Sequence, residues 1–257
     1  MNRLYRTLAT GIGFVTFGLM GLLFQFIVFP PILLFVRDVQ LRHRIARWVT
    51  HKSFYAFICW MRLLGVWSWK TENIDTLRRP GQLILTNHLT LVDVVFLIAF
   101  IPNASAIVKA ALVKNPFTWA PLKACGYVAN NEGPQLVNDC VREIQNGSSL
   151  VIFPEGTRTP PNQTPKLKRG AMVVALEGKI APTIVQISCE PLSLTKGNPW
   201  WNVPERPMFF TIKVCGALSL DPYQDQYKTE PSKATRALTA AVYDAIFSHY
   251  RTKDPQR

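Results

Sequence analysis

Residues 82–93 read Gln82-Leu-Ile-Leu-Thr86-Asn87-His88-Leu-Thr-Leu-Val-Asp93. Gln82 to Thr86 is a short apolar run of the kind that makes a buried strand, and the polar pair Asn87-His88 ends it. A second run, Ser149 to Phe153, leads straight into Pro154-Glu-Gly-Thr-Arg158. Ala104 to Lys109, Pro182 to Ile187 and Met208 to Val214 also read as strands. Pro134 to Gln145, Arg169 to Glu177 and Ser232 to Tyr250 have helical spacing. Strands alternating with helices predict an α/β fold, a central mostly parallel sheet flanked by helices. Pro-rich and polar text at 159–165 and 193–207 marks loops.

His88 and Asp93 have four residues between them. On one regular helix they would stand ~140° apart. His88 is therefore placed in the strand-to-helix loop, with Asp93 on the first helical turn reaching back. A carboxylate on one ring nitrogen fixes the tautomer and raises the basicity of the other, which makes His88 a candidate general base. A histidine capping a turn is the other reading of the same spacing. Thr90 reads as a helix-start residue. His249 and Asp254 repeat the spacing at the charged end of the chain, without a preceding strand, and read as coincidence.

Pro154 and Gly156 force a tight turn at the end of the second strand, exposing Glu155, Thr157 and Arg158. Strand ends are where α/β sheets bind ligands, and an arginine there offers a planar fork for phosphate. Lys166, Lys168 and Arg169 follow within a few residues. Lys109 ends another strand and reads either as a phosphate ligand or as a solvated lysine.

The amino-terminal text is different. Leu8 to Phe29 is 22 residues without a charge, enough for a helix to cross ~30 Å of hydrocarbon. Pro30-Pro31 is expected to break it. Four arginines follow the run (Arg37, Arg42, Arg44, Arg47) and two precede it (Arg3, Arg6), which puts the carboxyl side in the cytoplasm. A broken helix dipping into one leaflet fits equally well. Residues 1–72 hold nine Lys/Arg against Asp38 and Glu72, +7 of the net +13, interleaved with Trp48, Trp60, Trp67 and Trp69. Basic residues with tryptophans suit an anionic lipid interface, and the apolar run has no place on a nucleic-acid surface. Trp200-Trp201 reads as interfacial or as a packed pair. The five cysteines form no C-x-x-C pair and the four histidines do not cluster, so buried reduced thiols are expected, without disulfide or metal.

Asn87-His88-x4-Asp93 followed by Phe153-Pro-Glu-Gly-Thr-Arg158 resembles the glycerolipid acyltransferases, the 1-acylglycerol-3-phosphate acyltransferases. Leu167-Lys-Arg-Gly-Ala171 is similar to that family's basic Gly-Ala segment, and Lys109 with Pro116 to Gly126 to its second block. The likeness covers roughly residues 70–215, and the amino-terminal helices resemble the family's membrane motif. It implies a membrane anchor over residues 1–70 and an acyltransferase domain over 71–257. It implies acyl transfer from acyl-CoA or acyl-carrier protein, as co-substrate rather than cofactor, to a lysolipid hydroxyl. His88 would be the base and Asp93 its orienter. Asn87, Lys109, Glu155, Gly156, Thr157, Arg158, Lys168 and Arg169 would bind substrate. Lysophosphatidic acid is the expected acceptor. The expected location is the bacterial inner membrane with the active site facing the cytoplasm, with membrane lipids as partners and no nucleic acid. Two departures stand out. Asn130-Asn131 replaces an arginine of the second block, and Gln186 replaces a proline of the fourth. They leave open a different acceptor, such as an amino-acid lipid (lyso-ornithine lipid), and an altered channel. A non-catalytic membrane-binding module is a further alternative.

Overall fold

The computed structural model describes residues 3–130 and 134–251. The chain opens with α1 (Arg3–Leu23), a wide turn (Phe24–Val28), α2 (Phe29–Phe35) and α3 (Val39–Leu63). Then follow β1 (Trp67–Glu72), β2 (Leu83–Thr86), α4 (Asp93–Phe100), β3 (Ala104–Lys109), α5 (Ala110–Lys114), α6 (Trp119–Cys125) and β4 (Val128–Asn130). The rest is α7 (Pro134–Gln145), β5 (Ser149–Ile152), α8 (Gly170–Gly178), β6 (Thr183–Glu190), β7 (Met208–Ala217), α9 (Asp221–Thr229) and α10 (Pro231–Arg251).

The strands form one sheet in the order β1-β7-β6-β2-β5-β3-β4. From β6 to β4 every neighbour is parallel; β7 runs antiparallel to β6 and parallel to β1. The carboxyl ends of β2, β5, β3 and β4 therefore share one edge. Alternation of side chains fills both faces. Ile84, Val151, Val185 and Ile187 face one core with α3 and α4. Leu83, Leu85, Leu150, Ile152 and Ile184 face the other, covered by α7, α8 and α10. Because both faces are buried, the strands read as continuous apolar runs.

Pro30 and Pro31 do not break the amino-terminal helix. The wide turn precedes them, and they fall in the first turn of α2, where a missing N–H costs nothing. Arg3 to Phe35 is one helix of 33 residues, long and apolar enough to cross a membrane. One side of it packs inward. Gly13 lies against Met61 of α3 and Gly11 against Trp200. Leu8, Val15, Leu19, Phe26 and Leu34 point outward, exposed.

The amino-terminal helices and the sheet share a core. Ala9, Phe57, Ile58 and Met61 join the same cluster as β1, β2 and α4, and the sheet already begins at Trp67, ahead of the expected division at 70/71. Trp67 is a core residue, not an interfacial one: it is 2% exposed and donates its indole N–H to Ile58 O. Cys125 and Cys140 are buried and Cys59 and Cys189 half-buried, but Cys215 is exposed, because alternate residues of β7 face solvent. All five sulfurs are unpaired. Asn131 and Asp254 lie outside the described residues.

Candidate active site

β2 ends at Thr86 and hands the chain to a loop that returns at Asp93, the first residue of α4. His88 Nδ1 stands 3.0 Å from Asp93 Oδ2. The same oxygen accepts the amides of Leu89 (2.6 Å) and Thr90 (2.7 Å), while Asp93 Oδ1 accepts the Thr90 hydroxyl at 2.5 Å. The Thr90 hydroxyl and the Leu89 and Thr90 amides thus hold the Asp93 carboxylate while it holds the histidine. With Nδ1–H directed at Asp93, Nε2 is the ring's free acceptor. The imidazole is 18% exposed and stacks on Phe153, centroids 4.2 Å apart.

The neighbouring strand β5 delivers the second motif to the same edge. Gly156 takes φ +71 and its amide donates to Phe153 O at 2.9 Å, closing the turn after Pro154. Glu155 points inward rather than toward a ligand. Its Oε1 accepts the His88 amide at 2.7 Å and its Oε2 accepts the Thr159 hydroxyl. Burial pushes its carboxyl above the usual carboxylate range, against the opposing effect of those hydrogen bonds. Glu155 is a positioning residue that sets the backbone on which His88 rides.

Asn87 likewise turns into the protein. Its Nδ2 donates to Ile187 O (2.7 Å), its Oδ1 accepts the Ile187 amide (2.8 Å), and the residue is fully buried. It stitches the end of β2 to β6. Gln186 reaches α10, donating to Ala245 O at 2.7 Å.

Arg158 is held in place by its Nη1, which donates to Leu194 O at 3.1 Å. Among the described residues nothing else holds the fork. The Lys168 side chain lies across Gly156, and its amide donates to Pro154 O at 2.7 Å. Thr157 is exposed beside it. Arg169 is exposed just before α8. Lys109 stands on the same sheet edge but two strands from β2, ~10 Å away at the usual strand spacing, level with Asn130. No group of three or more His, Cys, Asp or Glu among the described residues is placed to hold a metal. The sequence reading missed Phe153, Thr159 and Leu194. Of these, only Phe153, the first residue of its motif, carried any signal.

Beside this edge is an apolar cavity of about 260 Å³. α1 supplies Gly13, Phe14 and Phe17, α3 supplies Phe57 and Met61, and the loop before Asp93 supplies Leu91 and Val92. Leu194, whose carbonyl holds Arg158, closes it.

A buried dyad and a basic turn on the carboxyl edge of a parallel sheet define the class, an α/β protein with a histidine-centred site. A family model described as Acyltransferase matches residues 68–190. The 1-acyl-sn-glycerol-3-phosphate acyltransferase of Helicobacter pylori is 31% identical over 136 residues, 49% of this chain and 56% of that protein. That of Cocos nucifera is 25% identical over 156 residues, 55% and 47%. The chain spans about half the length of the curated relatives it matches. The fold is also that of the 1-acyl-sn-glycerophosphate acyltransferase PlsC of Thermotoga maritima (TM-score 0.60, 17% identity, 94% of this chain and 95% of that one). Over residues 68–190 the chain is similar to the acyltransferases, and these likenesses support a PlsC-like glycerolipid acyltransferase.

Proposed function

We propose that the chain is a membrane-associated O-acyltransferase that converts lysophosphatidic acid to phosphatidic acid, with acyl-CoA or acyl-carrier protein as donor. The observation that carries this reading is His88, held by Asp93, with the turn that bears Arg158 bonded to its amide through Glu155. Nε2 takes the proton of the acceptor hydroxyl as its oxygen attacks the thioester carbonyl. The tetrahedral intermediate collapses, the carbon–sulfur bond breaks, and the thiolate recovers the proton from His88. Asp93 stabilises the imidazolium between the two transfers. The thioester is already activated, so no acyl-enzyme is needed.

Two features support the setting. The apolar cavity can take an acyl chain next to the dyad, and the outward face of α1 and α2 is apolar along its length. His88→Ala is expected to lower kcat by about 10³-fold or more with circular dichroism unchanged. Wild-type turnover in that variant would sink the mechanism. A panel of lysolipids tests the acceptor: preference for a headgroup without a phosphate monoester removes lysophosphatidic acid.

A further inference from the structure

The chain between β6 and β7 passes directly over the site. Leu194 sits in the left-handed region, φ 56. Its carbonyl accepts two donors, the Leu91 amide at 3.0 Å and Arg158 Nη1 at 3.1 Å. Ser193, Leu194 and Thr195 are all buried. Lys196 emerges immediately after this clamp, so its backbone is fixed against the catalytic loop. Its Nζ donates to Thr157 Oγ1 at 3.3 Å.

Three cations therefore converge on Gly156-Thr157-Arg158 from three directions. Arg158 lies on the turn, Lys168 crosses Gly156, and Lys196 reaches in from a segment 39 residues away. None of the three is paired with a carboxylate among the described residues, and the turn's own acid, Glu155, faces inward with both oxygens engaged. Cations held together without an anion repel one another, and a bound anion reverses that cost. A phosphate monoester, near −2 at pH 7 with three acceptor oxygens, matches three convergent donors in charge and in number.

We propose that Lys196 is a phosphate ligand of the acceptor site and sets its preference for a monoester headgroup. The proposal rests on the acyl-transfer reading above. The same chemistry exists on the 3′-phosphate of an acyl-CoA donor, so donor and acceptor must be varied separately.

Lys196→Gln is expected to raise KM for lysophosphatidic acid by about tenfold or more, the loss of one charge-assisted contact. KM for acyl-CoA and kcat should stay within about twofold, a change worth a few tenths of a tenfold step. Lys196→Arg should restore most of the acceptor affinity. In mixed micelles, lysophosphatidic acid should slow acetylation of Lys196 by acetic anhydride, and lysophosphatidylcholine should not. An unchanged acceptor KM in Lys196→Gln, a shift confined to the donor KM, or equal protection by both lipids overturns the proposal while the acyl-transfer reading stands. A wild-type protein that acylates no lysolipid overturns both.

Discussion

At the scale of single residues, the two motifs divide their labour unevenly. His88 and Arg158 face the site, while Asn87 and Glu155, their sequence neighbours, face the protein. Glu155→Ala leaves the His88 amide without its acceptor, a loss of about 1–3 kcal/mol for a buried donor. It should lower both the unfolding midpoint in urea and kcat. Glu155→Gln keeps an acceptor oxygen and should lose less of each. The titration has a definite sign. Burial raises the folded pKa of Glu155, so its contribution to stability is complete below the unfolded value, about 4.3. It is lost as pH rises through the folded value. Urea midpoints should therefore fall more steeply with rising pH in that window for the wild type than for Glu155→Gln; parallel curves would refute this. The spacing of His88 and Asp93 was legible because it is local: a strand end, a loop and a first helical turn fix where each side chain points. The inward turn of Glu155 was not, because its partner is the backbone of a different strand's loop.

At the scale of elements, α1 is both an exposed apolar surface and a cavity wall. A Cβ at Gly13 presses into the Sδ and Cε of Met61, the flexible end of a side chain that already lines the cavity. Gly13→Leu should fill the cavity without dislodging the helix. If the acyl chain lies there, kcat/KM for long-chain donors should fall by about tenfold or more relative to short ones, as expected for methylenes lost from an apolar pocket. An unchanged chain-length profile would place the acyl group elsewhere. The presence of an apolar helix was readable from the 22-residue run, but not its full length of 33 residues. The effect of Pro30-Pro31 was misread, because proline breaks a helix only where its N–H is needed, and a preceding wide turn resets that position.

At the scale of the whole molecule, one arginine ties the amino-terminal helices to the sheet domain. Arg47 of α3 is 2% exposed in its side chain and pairs with Glu143 of α7 at 2.6 Å. It also donates to Cys125 O (2.7 Å), Ser148 Oγ (2.5 Å) and Gly126 O (3.2 Å). Arg47→Met should cost about 3–5 kcal/mol, because it leaves Glu143 and two carbonyls without their donor. Denaturation in detergent would measure it; a change under 1 kcal/mol would mean α3 is only loosely joined. The +7 of residues 1–72 was assigned to a lipid face on composition, yet one of those charges is this internal tie.

The sequence alone determined what depends on near neighbours. Apolar runs of five to seven residues marked five of the seven strands (β1 and β4 were not among them), the turn chemistry of Pro154 and Gly156 gave the second loop, and the spacing of His88 and Asp93 gave the dyad. Only the tertiary structure decided which groups meet across the chain. Asn87 meets Ile187, Arg47 meets Glu143, and Lys196 meets Thr157, because β6, β2 and β5 lie side by side and α3 packs over the sheet. Local periodicity fixes which face of a strand is buried, but not which strand lies next to it. The partners of a polar side chain follow from that second choice.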